Sequence, residues 1–240
     1  MNYERIVKGV FWERPNRFIA YVDIDGRREV VHVKNTGRCK ELLIPGVTVY
    51  LEHSLAPQRK TSYDLVAVEK ETKDGIRLIN MDSQAPNKVV GEWLWTGELF
   101  ENVKMVRPEK KYGNSRFDFY VEYEEEESKI LKKAFLEVKG VTLERDGKVL
   151  FPDAPSERAV KHVEELIEAK EEGYEAYIIL VIQMKDVKYF TPNRETHAEF
   201  AQVLEKAAAA GVQILAYDCQ VKTDRMQIAD SVPVYLSQEA

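Results

Sequence analysis

Ser115-Arg116-Phe117-Asp118-Phe119-Tyr120-Val121 and Ala134-Phe135-Leu136-Glu137-Val138-Lys139-Gly140-Val141 are the two stretches on which the fold turns. Both read as β-strands, rich in aromatic and branched residues. Side chains alternate between the faces of a strand, so Glu137 and Lys139 share one face while Ala134, Leu136 and Val138 take the other. Asp118 falls between two phenylalanines of the face opposite its own. A carboxylate and an ammonium in such apolar strands are costly unless they are paired or bound to a metal. Asp118 precedes Glu137 by 19 residues, a spacing that suits neighbouring strands of a hairpin and sets the two acids side by side.

Outward from this pair, the chain divides near residue 82. Residues 1–82 carry short strand candidates at Val7–Trp12, Phe18–Ile24, Arg28–Val33, Val47–Glu52, Tyr63–Lys70 and Ile76–Asn80. Turn signals at Asp25-Gly26, Pro45-Gly46 and Asp74-Gly75 separate them. Such a run suggests a small closed barrel, of which an OB-like barrel is one option among several. Residues 83–240 change character. Pro86-Asn87 opens a helix expected over Lys88 to about Leu99. Strands follow at Val103–Arg107, Phe117–Tyr123 and Ala134–Val141. Glu124 to Lys133 form a charged connection. Ser156 caps a helix ending at Gly173, Ala176–Ile182 is a strand buried on both faces, Thr196 and Glu199 form a capping box, and Gly211 closes that helix before the strand Val212–Tyr217. The order α-β-β-β-α-β-α-β predicts an antiparallel meander continued by parallel crossovers in one mixed sheet. The fold class is therefore two-domain, α+β with α/β: a β-barrel followed by a mixed-sheet domain.

Two adjacent carboxylates repel, and Mg²⁺ or Mn²⁺ is the usual counter-charge, because hard cations take oxygen ligands. Lys139 then stands where it can meet a scissile phosphate. This is the layout of restriction-endonuclease-like phosphodiesterases, an Asp, a gap, then (Asp/Glu)-x-Lys, abbreviated PD-(D/E)xK. Glu92 on the preceding helix is a candidate to complete the metal shell, and Gln183, just past Ala176–Ile182, is placed to reach it. The competing reading is a Glu137–Lys139 salt-bridge network on a solvated sheet face.

The net charge of −6 counts against a polyanion-binding protein, but it is unevenly spread. Residues 1–80 carry +3, the remainder −9, and a basic cluster (Lys104, Arg107, Lys110, Lys111, Arg116) lies inside the acidic part. Cys39 and Cys219 lack metal-type spacing and read as reduced thiols of a cytoplasmic protein. Met1–Val10 has no signal-peptide character, no apolar run is long enough for a membrane span, and His32, His53 and His197 show no zinc spacing.

The chain resembles the sugar fermentation stimulation protein family (SfsA). The likeness is carried by Asn35-Thr36-Gly37, Leu42-Leu43-Ile44-Pro45-Gly46, Met81 to Pro86-Asn87, and Lys111-Tyr112-Gly113-Asn114-Ser115-Arg116-Phe117-Asp118-Phe119. It continues through Glu137-Val138-Lys139-Gly140-Val141-Thr142-Leu143, Phe151-Pro152-Asp153-Ala154 with Arg158 and Lys161-His162, and Leu215-Ala216-Tyr217-Asp218-Cys219. It departs from the common pattern at Arg38-Cys39 and Pro155-Ser156. The resemblance implies an N-terminal OB fold and a C-terminal nuclease-like domain. It also implies DNA binding without strong sequence preference and a link to sugar, notably maltose, metabolism. Carried over, Asp118 and Glu137 are metal ligands and Lys139 the catalytic lysine, with Glu92 and Lys161 in support. Expected nucleic-acid contacts are Arg17, Lys34, Asn35, Arg38, Arg59 and Lys60 in the first part, and Lys111, Tyr112, Arg116, Lys161 and His162 in the second. Arg14, Lys40, Trp12 and Tyr63 are further barrel candidates. The functional expectation is a Mg²⁺- or Mn²⁺-dependent DNA nuclease; the alternative is a non-catalytic, non-specific DNA-binding regulator of sugar metabolism. A homodimer would suit the cutting of two strands.

Overall fold

The computed structural model describes residues 1–35, 37–73, 75–113 and 115–237. Asp74 of the expected hairpin turn, Thr36 and Asn114 lie outside the described residues. Six strands come first: β1 (Ile6–Glu13), β2 (Ile19–Ile24), β3 (Arg27–Val33), β4 (Thr48–His53), β5 (Tyr63–Thr72) and β6 (Gly75–Asn80). Their order is β3-β2-β1-β4-β5-β6, and a parallel pairing of β3 with β5 at His32↔Asp64 and Val33↔Leu65 closes β1–β5 into a five-stranded barrel. Alternation drives the closure. Ala20, Val22 and Ile24 of β2 point inward with Val31 and Val33 of β3, and all are buried. The N-terminal part is thus an OB barrel, with β6 as an extra strand on β5.

The second part begins with α1 (Ala85–Trp93). The helix starts three residues before the expected Lys88 because Pro86 takes its first turn, where a missing N–H costs nothing, and it ends well before Leu99. Strands β7 (Val103–Tyr112), β8 (Ser115–Glu124) and β9 (Leu131–Val141) form the expected meander. They are followed by α2 (Glu157–Glu171), β12 (Glu175–Ile182), α3 (Ala198–Ala209) and β14 (Gln213–Lys222). With a last strand β15 (Arg225–Ser231), the six-stranded sheet runs β15-β14-β12-β9-β8-β7, with β9, β12 and β14 parallel. Four short strands were not foreseen. These are β10 (Leu143–Arg145), β11 (Lys148–Phe151) and β13 (Tyr189–Pro192), which make a separate three-stranded sheet, and β15 (Arg225–Ser231), antiparallel to β14.

Ser156 caps α2 as expected, accepting from the Ala159 N–H at 3.2 Å. The capping box at Thr196 and Glu199 does not form. The N–H groups of Thr196 and His197 both donate to the Asn193 carbonyl, and this turn delays the helix until Ala198, with no side-chain cap. One apolar core continues from the barrel interior (Phe11, Leu51) to the α2/α3 face of the mixed sheet (Val163, Phe200). A second fills the α1 face with Val89, Trp93, Leu136 and Ile179. No helix among the described residues is long and apolar enough to cross a membrane.

Gln183, expected near the acids, belongs to the junction of the two parts. Its Nε2 donates to the carbonyls of Asn80 (3.2 Å) and Asp82 (3.1 Å) and to Asn80 Oδ1 (2.9 Å), while the Asn80 N–H donates back to the Gln183 carbonyl. Gly140 makes room for it. A Cβ there would stand 2.5 Å from Gln183 Oε1 and 2.8 Å from Pro86 Cγ, so only glycine fits beside Lys139. A second junction is ionic. Glu144 on β10 accepts from Lys70 Nζ of β5 at 2.6 Å, and Arg77 Nη1 of β6 lies 3.2 Å from its other oxygen.

Candidate active site

Asp118 and Glu137 meet where two strands part. The β8–β9 ladder runs from Glu124↔Leu131 to Phe119↔Leu136. The next step sets Asp118 across from Glu137. Here the regular alternation of β8 breaks. Phe117 packs with Phe135 and Tyr112 on the α2 side, with ring centroids 5.2 and 5.5 Å apart, whereas Phe119 joins the core on the α1 side. Asp118 therefore sits at a change of face, not between two phenylalanines of one face. Its Oδ2 accepts the Val138 N–H at 2.7 Å, and its Oδ1 accepts from Asn87 Nδ2 of α1 at 2.7 Å. Across Asp118 on β7, Glu109 adopts a φ of 52°, and the register places it between the pairs Pro108↔Phe119 and Lys110↔Phe117.

Glu137 is only 2% exposed. Lys139 Nζ and His162 Nδ1 both donate to its Oε1, the histidine at 2.5 Å. Arg158 Nε donates to His162 Nε2 at 3.4 Å. That network assigns the histidine hydrogen to Nδ1, the nitrogen facing Glu137. The other carboxylate oxygen of Glu137, Oε2, is buried and has no partner. Burial pushes the Glu137 carboxyl up, but His162 and Lys139 outweigh it and hold the group below its ordinary value. Asp118 moves the opposite way. Burial, then the charge of Glu137, raise it above the ordinary aspartate value against the pull of the Val138 N–H, Asn87 and Lys139. The pair is short of positive charge on the Asp118 side, and it has one orphaned oxygen.

The donor set fits a hard divalent cation in kind, since such ions seek carboxylate oxygens and an orphaned buried carboxylate oxygen lacks a positive partner. Among the described residues, no group of three or more His, Cys, Asp or Glu side chains is gathered as a complete metal cage. Glu92, the expected third acid, lines the same recess as Asp118. Its carboxylate is 63% exposed and is held by the Met1 ammonium at 2.7 Å.

The remaining sequence candidates separate into two groups. His162 is the second-helix residue brought onto Glu137. Lys161 beside it is exposed, 3.7 Å from Glu165, and lines a recess with Arg116 and Arg158. Arg17 and Arg38 line a groove on the barrel with Lys40, and Lys60 and Lys111 are exposed. Others are committed within the fold. Lys34 pairs with buried Asp82 at 2.9 Å, Asn35 donates to the Met81 carbonyl and accepts from the Gly37 N–H, and Arg59 and His32 hold Asp64. Tyr112 packs among Phe117, Phe135 and Tyr174, and Arg14 donates to four backbone carbonyls. Trp93 is core against Tyr217, while Trp95 is exposed. Trp12 stands out on the barrel under the Arg28 guanidinium, 4.1 Å from its ring, and Tyr63 stacks on His53. Sequence reading did not single out Asn87 or Glu109 as neighbours of the acids. The only signal for Asn87 was a polar residue one step past the proline that opens α1.

Comparison with known proteins gives this geometry its context. Residues 84–225 match the sugar fermentation stimulation protein RE domain, and residues 13–79 match the SfsA N-terminal OB domain. The sugar fermentation stimulation protein homologue of Clostridium beijerinckii is 57% identical over 98% of this chain and 100% of its own. That of Ruminiclostridium cellulolyticum is 55% identical over the same shares. Among solved structures, SfsA of Pyrococcus furiosus, described in complex with Ca²⁺, is similar with a TM-score of 0.81 and 26% identity over 98% of each chain. With an OB barrel ahead of a restriction-endonuclease-like mixed sheet, and relatives matched from end to end, the chain belongs to the sugar fermentation stimulation protein family.

Proposed function

We propose that this protein binds DNA and hydrolyses its phosphodiester bonds with a divalent cation, Mg²⁺ or Mn²⁺, at Asp118, Glu137 and Lys139. The observation that carries the reading is the unpartnered, buried Oε2 of Glu137 beside an Asp118 whose ionisation is opposed by that same glutamate. Asp118 and Glu137 hold the cation. Its contribution is Lewis acidity toward the phosphodiester and a lowered pKa for the attacking water. The protein's own groups prepare the site. Lys139 and His162 both engage Oε1, which leaves the buried Oε2 as the free oxygen. Asn87 and the Val138 N–H fix the Asp118 carboxylate, each of whose oxygens keeps a lone pair. Lys139 has three donors and uses one on Glu137, so it has others for a phosphate oxygen. Glu92 lines the same recess as Asp118 and supports the acids from there through water. Arg116, Lys161 and Arg158 border the site on the α2 side and suit the flanking phosphates. The barrel groove at Arg17, Arg38 and Lys40 suits phosphates more distant from the site. The Pyrococcus furiosus relative, whose structure is described as a complex with Ca²⁺, supports a hard-cation site.

The experiment is cleavage of circular single-stranded and supercoiled DNA with Mn²⁺ or Mg²⁺ by wild type, Asp118→Ala and Glu137→Ala, with binding measured in parallel. Loss of cleavage in both variants with binding retained is the expected result. The second reading, a DNA-binding platform without turnover, is favoured by the lack of a three-residue metal cage among the described residues. It predicts salt-sensitive binding with no metal-dependent cleavage by wild type.

A further inference from the structure

A row on α1 leads away from the acids. Asn87, Gly91 and Trp95 are spaced by four residues, so they follow one another along one face of the helix and its immediate continuation. Asn87 holds Asp118 Oδ1. Trp95, just past the helix end, is 57% exposed, in contrast to Trp93, which is buried against Tyr217. Between Asn87 and Trp95 the row is empty because residue 91 is glycine. A Cβ there would already press on the Phe119 ring at 3.3 Å. The recess here, of about 500 Å³, is open and more apolar than polar; Gly91, Trp95, Asp118 and Phe119 line it, with Lys88 and Glu92 beside them. Eight residues at helical rise span roughly 12 Å, so the indole lies within a few nucleotides of the carboxylates.

The other side of the acids is different. There the recess of about 570 Å³ is bordered by Arg116, Arg158 and Lys161. Glu109 lines both recesses and marks where they meet. The α2 side offers three cations against Glu157, and the α1 side, beside Lys88 and Glu92, offers an exposed aromatic face, with the acids between them. A polynucleotide strand has the matching halves, anionic phosphates and flat bases.

We infer that the apolar recess is a nucleobase subsite in which Trp95 stacks on a base within a few nucleotides of the scissile phosphate, so that the site takes unpaired strands: single-stranded DNA, flaps or frayed ends. This rests on the phosphodiesterase reading above. A base can offer its face to the indole only when it has left a duplex stack, whereas the cationic side serves paired and unpaired strands alike. Gly91 lets the Phe119 ring pack directly on α1 beneath this recess.

The test is equilibrium binding in EDTA, which removes cleavage, of a fluorescent single-stranded oligonucleotide and of the same sequence as a blunt duplex. The proteins are full-length wild type, Trp95→Ala and Trp95→Phe, each checked for an unchanged melting temperature. Trp95→Ala is expected to weaken single-strand binding by about 5- to 100-fold and to leave duplex binding within about twofold, with Trp95→Phe close to wild type. An abasic single strand should bind wild type and Trp95→Ala alike. Equal losses on single strand and duplex, or no loss on either, would overturn the subsite. Wild type that binds neither DNA sinks the functional reading itself, a separate outcome.

Discussion

Glu137 and Glu144 lie seven residues apart, both nearly buried and both facing cations, yet they are finished differently. Glu144 has a partner on each oxygen: Lys70 on Oε2, and the Gly147 N–H with Arg77 nearby on Oε1. Glu137 has two donors crowded on Oε1 and nothing on Oε2. Burial pushes both groups up, and in both the surrounding donors outweigh it and hold the carboxyl below its ordinary value. Charge and burial therefore do not distinguish these two glutamates; the orphaned oxygen of Glu137, beside an aspartate whose ionisation it opposes, does. A carboxylate that only ties two parts of a chain together has every reason to use both oxygens, while one that must receive a ligand has to keep one in reserve.

The same substitution at both positions is the most direct way to break that contrast. Glu137→Gln keeps a carbonyl oxygen for Lys139 and His162, but removes the charge and the free carboxylate oxygen. Metal-dependent cleavage should fall on the order of 10²- to 10³-fold, and divalent-cation affinity should fall with it. Its melting temperature should fall less than that of Glu144→Gln, because removing the Glu137 charge also relieves the repulsion on Asp118 and so offsets the loss of the pairs with Lys139 and His162. Glu144→Gln should do the reverse: cleavage at permissive temperature near wild type, and stability lower by about 3 kcal/mol, because Lys70 and Arg77 lose their counter-charge at a buried junction. In a chain of this size that is a fall of roughly 6–12 °C in melting temperature. A large stability loss in Glu137→Gln with metal affinity intact would make Glu137 structural and erase the distinction.

Acid sharpens the same comparison. The folded-state pKa of Glu144 is depressed, so its contribution is complete at neutral pH, above the unfolded carboxyl value of about 4.3. That contribution drains away as pH falls through the lower folded value. The stability gap between wild type and Glu144→Gln, measured by urea titration, should therefore be constant from pH 7 to about pH 5 and narrow below about pH 4. A gap unchanged down to pH 3 would mean that packing, not the ion pair, is what the substitution disturbs.

The sequence was legible where structure is local. Period-two alternation placed Glu137 and Lys139 on one face of β9, and the spacing to Asp118 placed the two acids on adjacent strands. The Ser156 cap and the apolar run of β12 were equally readable. What failed depended on partners distant in sequence. His162 reaches Glu137 across 25 residues, Lys34 finds Asp82 across 48, and Arg14 is consumed by backbone carbonyls of a later loop, so the roles of these three could not be read from their own neighbourhoods. Gln183 looked like a site residue because it follows a buried strand, but its amide is spent on Asn80 and Asp82. The change of face at Asp118 was invisible because Phe-Asp-Phe is also what an ordinary alternating strand looks like.

Gly140 lies between the two glutamates and tests whether the junction and the site are mechanically linked. Gly140→Ala drives a methyl group into Gln183 Oε1 and Pro86 Cγ. Relief requires Gln183 to give up bonds to Asn80 or α1 to shift at its first turn. The expected cost is about 1–3 kcal/mol in denaturant unfolding. Because Asn87 follows Pro86 directly and holds Asp118, cation affinity should drop along with stability. A stability loss with unchanged affinity would show that the junction can be strained without moving the acids.

The smallest effect expected is at Ser156, whose hydroxyl caps the helix that carries His162. Ser156→Ala should cost about 1 kcal/mol, seen as a shift of roughly 2–4 °C in melting temperature. Cleavage should change little. His162 lies two turns into α2 and is fixed from both sides, by Glu137 at Nδ1 and Arg158 at Nε2, so fraying at the cap does not release it. The exposed Arg158 is the weaker of those two anchors, being only one residue into the helix and 3.4 Å from the ring. If Ser156→Ala lowers cation affinity about tenfold while stability falls by only about 1 kcal/mol, then the first turn of α2 is part of what holds Glu137. The division between finishing a carboxylate and supporting the fold would then run through the helix instead of between the two glutamates.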